Sequence, residues 1–150
     1  MGTYQTVLVG TDGSDSSYRA VDRAAEIARD EDATLVVVCA YFPASKQEVQ
    51  RAGDELGDIA YQVVGANPAE ETLRRASERA TAKGTKNIKK VALKGEPVKS
   101  LAAAIVDERA DLVVVGNRGL NSIAGRILGS VPANVSRQAR CDVLIVHTTK

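Results

Sequence analysis

The segment DLVVVGNRG, residues 111–119, decides the fold that we predict for this chain. Its apolar run after Asp111 is typical of a strand that is buried on both faces of a parallel sheet. Gly116 and Gly119 follow the run at once, and glycines let backbone N–H groups come close to another molecule. The segment therefore predicts a buried strand that ends at a binding loop.

A second pair of small residues, Gly129-Ser130, follows Gly119 after nine intervening residues. It precedes a helix predicted over 131–140, with Pro132 in the first turn, where a missing N–H costs little. A helix start, small residues and a hydroxyl together favour an anion site, most often for phosphate. The alternative is that both glycine pairs are ordinary loop residues.

Strands and helices alternate along the 150 residues. The apolar and periodic patterns predict strands over 4–9, 35–40, 87–93, 111–115 and 143–147, and helices over 15–30, 68–83, 97–109 and 131–140. Residues 43–65 are ambiguous between helix and loop. Strands joined by helical crossovers form a parallel sheet with helices on both faces, so we expect one α/β domain over residues 1–150.

Three segments at the carboxyl ends of predicted strands carry residues suited to a ligand: Gly10–Gly13, Cys39–Tyr41 and Gly116–Gly119. In parallel sheets, ligands bind beyond the carboxyl ends of the strands, where the strand order changes direction. Asp12 can accept hydrogen bonds from ribose hydroxyls, or it can serve only the turn. The backbone of Ala40 can pair with the edge of a base, and the glycine loops can hold phosphates.

Composition and charge exclude several classes of partner. The net charge is +1 and aromatic residues make up 3% of the chain, which argues against binding to nucleic acid or to a membrane surface. No apolar run approaches the roughly 18 residues of a membrane span, and no leader sequence is recognisable. Cys39 and Cys141 lack a CxxC pattern, as is usual for reduced thiols. We therefore expect a cytoplasmic protein without nucleic-acid or membrane partners.

The motifs of several enzyme classes are absent. The chain lacks the Walker pattern G-x-x-x-x-G-K-[ST], the dinucleotide pattern G-x-G-x-x-G and the hydrolase pattern G-x-S-x-G. A phosphoacceptor domain needs an aspartate at the end of the third strand, where this chain has Leu93-Lys94. No metal-ligand spacing is present, and His147 is the only histidine. We expect no catalytic residues and no metal site.

Three motifs together resemble the universal stress protein family over essentially the whole chain: Val7–Ser14, the Gly-x2-Gly-x9-Gly-Ser pattern and Cys141–Val146. The resemblance implies an open, Rossmann-like five-stranded parallel sheet of order 3-2-1-4-5, as in the adenine nucleotide alpha hydrolases. It also implies a homodimer and an adenine nucleotide bound between strands one and four. Gly10-Thr11 departs from many relatives, which have a larger aliphatic residue or proline there.

The resemblance assigns roles by position. Asp12 would meet the ribose and Ala40 the adenine, the glycines after strand four would line the ribose–phosphate path, and residues 129–131 would hold phosphate. The expected nucleotide-binding residues are Gly10, Thr11, Asp12, Ala40, Gly116, Asn117, Arg118, Gly119, Gly129, Ser130 and Val131.

The choice between ATP and cyclic AMP depends on charge. Residues 129–136 are similar to an actinobacterial type of the family, some of whose members prefer cyclic AMP. The loop over 116–131 contains Arg118 and Arg126 but no lysine, and Asp12 alone is placed for the Mg²⁺ that would accompany ATP. A single cyclic phosphate suits such a loop better than a triphosphate. We therefore expect a sensor or buffer that slightly favours cyclic AMP; the alternative is a slow ATPase.

The two predicted sheet edges differ in charge. Residues 87–93 carry Lys89 and Lys90, and lysine commonly protects an exposed edge from pairing. Residues 143–146 carry no charge, and a bare apolar edge is an aggregation hazard. A two-fold related copy that pairs antiparallel would cover it. We therefore expect a homodimer through Val143–His147, with Val143, Ile145 and His147 near the axis.

Overall fold

A computed structural model of the chain describes residues 2–41, 66–117, 134–135 and 137–148. Strands and helices alternate within these ranges, as the sequence predicts. They are β1 (Thr6–Gly10), α1 (Asp15–Glu31), β2 (Thr34–Tyr41), α2 (Ala66–Ala82), β3 (Asn87–Lys94), α3 (Pro97–Asp107), β4 (Leu112–Gly116) and β5 (Asp142–Val146). None of the helices in these ranges is both long enough and apolar enough to cross a membrane.

The five strands form one parallel sheet of order β3-β2-β1-β4-β5. This confirms the predicted order 3-2-1-4-5 and the α/β fold class. β1 is the central strand, with β2 on one side and β4 on the other. The direction of strand order therefore changes at β1, and β3 and β5 are the edges.

Alternate side chains of the central strand pack into two separate cores. Val7 and Val9 belong to a core that includes the buried faces of α1 and α2, whereas Leu8 belongs to a second core with α3. Because the strand is covered on both faces, its sequence is continuously apolar rather than alternating. The buried face of α1 is mostly alanine, so this helix can lie close to the sheet.

The ends of α1 follow local chemistry. Ser14 has an extended backbone (φ −76°, ψ 156°), and its Oγ accepts a hydrogen bond from the Ser17 N–H at 3.1 Å, which caps the start of the helix. Asp32 is left-handed (φ 53°) and donates its N–H to carbonyls of the last turn, a common way to end a helix. The predicted helix 15–30 is correct to within one residue.

β1 begins at Thr6 and not at Tyr4, so the predicted start of this strand is wrong by two residues. Carboxylates bind the N–H groups that precede it: Glu31 Oε1 accepts from Tyr4 at 3.1 Å, and Asp111 Oδ2 accepts from Gln5 at 2.9 Å. Apolar patterning cannot detect such pairing, because it depends on residues distant in sequence.

At the other end of the chain, β5 ends at Val146, so His147 lies beyond the strand that was predicted to contain it. Its neighbour Thr148 turns inward and is buried. The ambiguous segment 43–65 and most of the predicted helix 131–140 lie outside the described residues. Within the latter, 134–135 and 137–138 are helical.

Candidate functional site

The carboxyl edge of the sheet is indented at its central strand. β1 ends at Gly10, which pairs with Val38 of β2. On the other side, the last residue of β1 with a partner is Val9, which pairs with Val114 of β4. β2 runs on to Tyr41, and β4 runs on to Gly116. The two neighbours of β1 therefore extend past it and enclose a gap at the point where the strand order changes direction. We call this gap the notch; it lies beyond Gly10, between the ends of β2 and β4.

The backbone polar groups of Ala40 point into the notch. The Thr11 N–H donates to the Val38 carbonyl at 2.9 Å, so Val38 faces β1, and the Gly95 N–H donates to the Tyr41 carbonyl at 2.7 Å on the β3 side. The N–H and C=O groups of successive strand residues point to opposite sides. Ala40 therefore directs both groups to the β1 side, beyond the last residue of β1. This is the geometry that pairing with a base edge requires.

The turn after β1 is organised by buried hydroxyls. Thr11 is 1% exposed, and its Oγ1 lies 2.7 Å from Ser17 Oγ and accepts the Gly13 N–H at 3.2 Å. Gly13 has a positive φ of 85°, which favours glycine at this position. These contacts join the turn to the first turn of α1, so the bottom of the notch is held by the start of that helix.

Asp12 makes the turn contact, which is one of the two alternatives that the sequence left open. Its Oδ1 accepts the Ser14 N–H at 2.9 Å, which is the turn role. The residue before it, Thr11, is hydrogen-bonded to Val38 of β2. Burial, and secondarily the charge of Asp12, raise the pKa of the Cys39 thiol to about 12.

Gly116, at the end of β4, is surrounded by residues from two other elements. A Cβ at this position would lie 3.1 Å from Thr148 Cγ2, 3.3 Å from Thr148 Oγ1 and 3.7 Å from Ser16 Oγ. Its φ is not in the left-handed region, so a side chain here would meet Thr148 without straining the backbone conformation. A side chain at this point would be crowded by Thr148, which occupies the adjacent space.

Asn117 connects the end of β4 to the chain that follows β5. Its N–H donates to the Val146 carbonyl at 2.8 Å, and its Oδ1 accepts from Thr148 N at 3.0 Å and from Thr148 Oγ1 at 2.9 Å. Its Nδ2 lies 3.3 Å from His147 Nδ1. The side chain of Asn117 therefore binds the end of the chain in addition to lying at the notch.

About half of the predicted site lies within the described residues. The part that the structure brings to the notch comprises Gly10, Thr11, Asp12, Ala40, Gly116 and Asn117. The remainder, which lies outside the described residues, comprises Arg118, Gly119, Gly129, Ser130 and Val131. Sequence reasoning missed Ser16, Ser17 and Thr148. The polar run Ser14–Ser17 was a visible sign of a helix start, but nothing local marked Thr148.

Among the residues that the structure describes, no three carboxylates, histidines or cysteines come together in a group that could hold a metal ion. Cys39 and Cys141 are free thiols.

A model of the Universal stress protein family matches residues 3–147. This chain belongs to the universal stress protein family. The resemblance found in the sequence motifs is thereby confirmed, and the match extends over nearly the whole chain.

Relatives and solved structures agree with this assignment. The chain is 56% identical over 149 residues to Universal stress protein Rv1636 of Mycobacterium tuberculosis, with 99% of this chain and 100% of that protein covered. A crystal structure of a universal stress protein in complex with cAMP is 47% identical, with a TM-score of 0.75 and coverage of 97% and 98% of the two chains. The universal stress protein from Archaeoglobus fulgidus in complex with dAMP is 21% identical, with a TM-score of 0.68 and coverage of 95% and 97%, and shares the fold.

Proposed function

We propose that this universal stress protein binds an adenine nucleotide in the notch. The observation that carries the proposal is the direction of the Ala40 backbone, which presents one donor and one acceptor where β1 has ended. An adenine edge offers the complementary acceptor and donor. The 47% identical structure in complex with cAMP supports this choice of ligand class.

The residues have distinct proposed roles. Ala40 pairs with the base, and Asp12 accepts hydrogen bonds from the ribose. Gly10 and Thr11 form the bottom of the notch, where a larger side chain than glycine would reduce the space. The chain after β4 follows the ribose–phosphate path; its proposed ligand-contacting residues are Gly116, Asn117, Arg118, Gly119, Gly129, Ser130 and Val131.

We further propose that cyclic AMP is slightly favoured over ATP and that the protein acts as a sensor or buffer. The segment 116–131 contains Arg118 and Arg126 but no lysine, and one cyclic phosphate carries a single negative charge. Backbone N–H groups and one hydroxyl can satisfy that charge. Hydrolysis of ATP would additionally need a positioned water and metal-held phosphates. The free thiols of Cys39 and Cys141 support a reducing, cytoplasmic location.

Competition calorimetry tests the ligand and its site together. Purified protein should bind cyclic AMP, and ATP at equal concentration should displace only part of it. Asp12→Asn keeps an acceptor oxygen for the turn and removes the carboxylate charge, so its affinity should fall about tenfold, or roughly 1.4 kcal/mol. Asp30→Asn, at an exposed position near the end of α1, is the matched control and should bind as the wild type does.

Three results would contradict the proposal in different ways. Undiminished binding by Asp12→Asn would remove the ribose assignment. Near-complete displacement of cyclic AMP by ATP would reverse the order of the two ligands. Steady phosphate release from ATP that Asp12→Asn abolishes would favour the slow ATPase over the binding protein.

We also propose a homodimer through β5. Ile145 is 46% exposed, and β5 is an edge strand whose last four residues are uncharged, whereas the opposite edge carries Lys89 and Lys90. Pairing of β5 with its copy would cover both the edge and Ile145. Ile145→Lys should give a monomer or an aggregate by size exclusion with light scattering. Val106→Lys, which changes an exposed residue on α3 (63% exposed), should leave the dimer intact; a monomeric wild type at micromolar concentration would refute the proposal.

A further inference from the structure

Thr148 lies two residues after β5, is only 2% exposed, and binds three other parts of the chain. Its N–H and its Oγ1 donate to Asn117 Oδ1, its Oγ1 also contacts Ser16 Oγ, and its carbonyl accepts from the Arg19 guanidinium. The end of β4, the first turn of α1 and the chain after β5 are thereby joined at one residue.

The hydrogen bonds at Thr148 have a defined direction. A hydroxyl carries one proton and can donate once. Because Thr148 Oγ1 donates to Asn117 Oδ1, it must accept the hydrogen bond from Ser16. The chain of donation therefore runs from Ser16 through Thr148 to Asn117. A side chain without a hydroxyl at position 148 would interrupt it and leave polar groups of Ser16 and Asn117 without that partner.

The same contacts determine how Asn117 is oriented. With its Oδ1 accepting twice from Thr148, its amide nitrogen faces His147 Nδ1 at 3.3 Å. Its own N–H is bound to the Val146 carbonyl. The backbone of Asn117 is thus held by the last residue of β5, and its side chain is held by the segment that follows β5.

The methyl group of Thr148 lies against Gly116, the residue before Asn117. It lies 3.1 Å from the point where Gly116 would carry a Cβ, so it packs against the bare backbone at the end of β4. One side chain therefore holds Gly116 by packing and Asn117 by hydrogen bonding. These two residues begin the segment that the proposed function assigns to the ribose–phosphate path.

We propose that Thr148 is a positioning residue for the nucleotide site, which acts through Asn117 and Ser16. It holds the end of β4 and the start of α1 in one arrangement before a ligand binds. The free energy of binding is therefore not reduced by the cost of ordering these segments. This inference rests on the proposed nucleotide binding.

Two substitutions separate the hydroxyl from the shape of the side chain. Thr148→Val keeps the branched shape and removes the hydroxyl, whereas Thr148→Ser keeps the hydroxyl and removes the methyl group. We expect Thr148→Val to lower the affinity for cyclic AMP about five- to tenfold by calorimetry, and Thr148→Ser to recover most of it. In the ligand-free protein, hydrogen exchange at the Asn117 N–H should be faster in Thr148→Val than in Thr148→Ser.

Thr85→Val is the matched control. Thr85 is also a buried threonine (6% exposed), and its hydroxyl donates to the Ala25 carbonyl at 2.8 Å, at the end of the sheet opposite to the notch. Urea denaturation should show a similar loss of stability in Thr85→Val and in Thr148→Val. Thr85→Val should nevertheless bind cyclic AMP as the wild type does. A purely structural role for Thr148 predicts that the two variants behave alike in both assays.

The outcomes distinguish the failure of this inference from that of the proposed function. Wild-type affinity in Thr148→Val, or equal losses of affinity in Thr148→Val and Thr85→Val, would overturn the positioning role while nucleotide binding stands. A wild type that binds neither cyclic AMP nor ATP would overturn the proposed function and the positioning role with it. If Thr148→Val does not fold, Ser16→Ala provides the test, because it removes the first donor of the hydrogen-bond series from Ser16 through Thr148 to Asn117. Unchanged affinity in that variant would overturn the inference.

Discussion

Substitution of Gly116 tests the packing at the end of β4 most directly. Gly116→Ala places a Cβ 3.1 Å from Thr148 Cγ2 and 3.3 Å from its Oγ1, whereas carbon atoms pack without repulsion at about 3.5–4.0 Å. Thr148 cannot easily move away, because its N–H, its carbonyl and its hydroxyl are all hydrogen-bonded. The clash must therefore be shared between the end of β4 and the chain after β5.

The expected magnitude is a balance of two effects. Replacing glycine by alanine in a strand gains roughly 0.5–1 kcal/mol, because the unfolded chain loses freedom. Overpacking a buried site costs roughly 1–3 kcal/mol. The net loss for Gly116→Ala should be about 1 kcal/mol in the free energy of unfolding, and Gly116→Val, with two further methyl groups, should lie towards the upper end of the overpacking range. Nucleotide affinity should fall about tenfold in Gly116→Val, equivalent to about 1.4 kcal/mol.

The assay is a double-mutant cycle with Thr148→Ser, which removes the methyl group nearest to the new Cβ. Urea denaturation of both single variants and of Gly116→Ala/Thr148→Ser should give a favourable coupling of at least about 0.5 kcal/mol. Gly84→Ala, at a left-handed position (φ 95°) after α2, is the control: it should cost stability without changing affinity. Additive effects at Gly116 and Thr148, or unchanged affinity in a folded Gly116→Val, would refute the reasoning.

Three further predictions concern the two thiols, the carboxylate of Glu71 and the cap of α1. Cys39 is fully buried and its pKa is raised to about 12. In the folded protein at pH 8, mass spectrometry should therefore show slower alkylation of Cys39 than of the partly exposed Cys141. Equal rates would contradict this. Hydrogen bonds from Arg74 and, second, from Arg75 lower the pKa of the exposed Glu71 to about 2. Its contribution to stability should therefore be complete above about pH 4.5 and be lost as the pH falls towards 2. An NMR titration midpoint near 4.5 would show that neither contact forms in solution, and Arg74→Gln should raise the midpoint. Ser14→Ala should reduce the free energy of unfolding by about 1 kcal/mol through loss of the cap of α1, and Ser14→Asp, which retains an acceptor, should restore most of it in the same denaturation assay.

The strands and the first helix were predictable because their signals are local. The runs at Val7–Val9 and Leu112–Val115 are apolar at every position, which indicates burial on both faces, and the polar residues around Ser14 mark a helix start. Element ends were less accurate. The start of β1 is set by the carboxylates of Glu31 and Asp111, and no periodic pattern reveals which distant side chain will bind a given N–H.

Part of the candidate site was also predictable from local sequence, and part of it depends on tertiary contacts. Asp12 and Gly116 could be named as candidate ligand contacts because each follows an apolar run, and parallel strands bring their carboxyl ends to one edge. The direction of the Ala40 backbone groups became clear only from the pairings of β2, because it depends on the residue at which β1 ends. The contribution of the methyl group of Thr148 to the environment of Gly116 could not have been inferred from either segment alone.

The order of residues alone was enough to assign the layers, the family and the strands that surround the notch, because apolar runs, caps and glycine spacings act over a few neighbouring residues. The contacts that hold the notch in shape depend on the folded chain. Thr148 lies 31 positions from Asn117 and 132 from Ser16. Hydrogen bonds between such distant polar side chains leave no pattern in the sequence, and they form only when α1 and β4 meet the chain after β5.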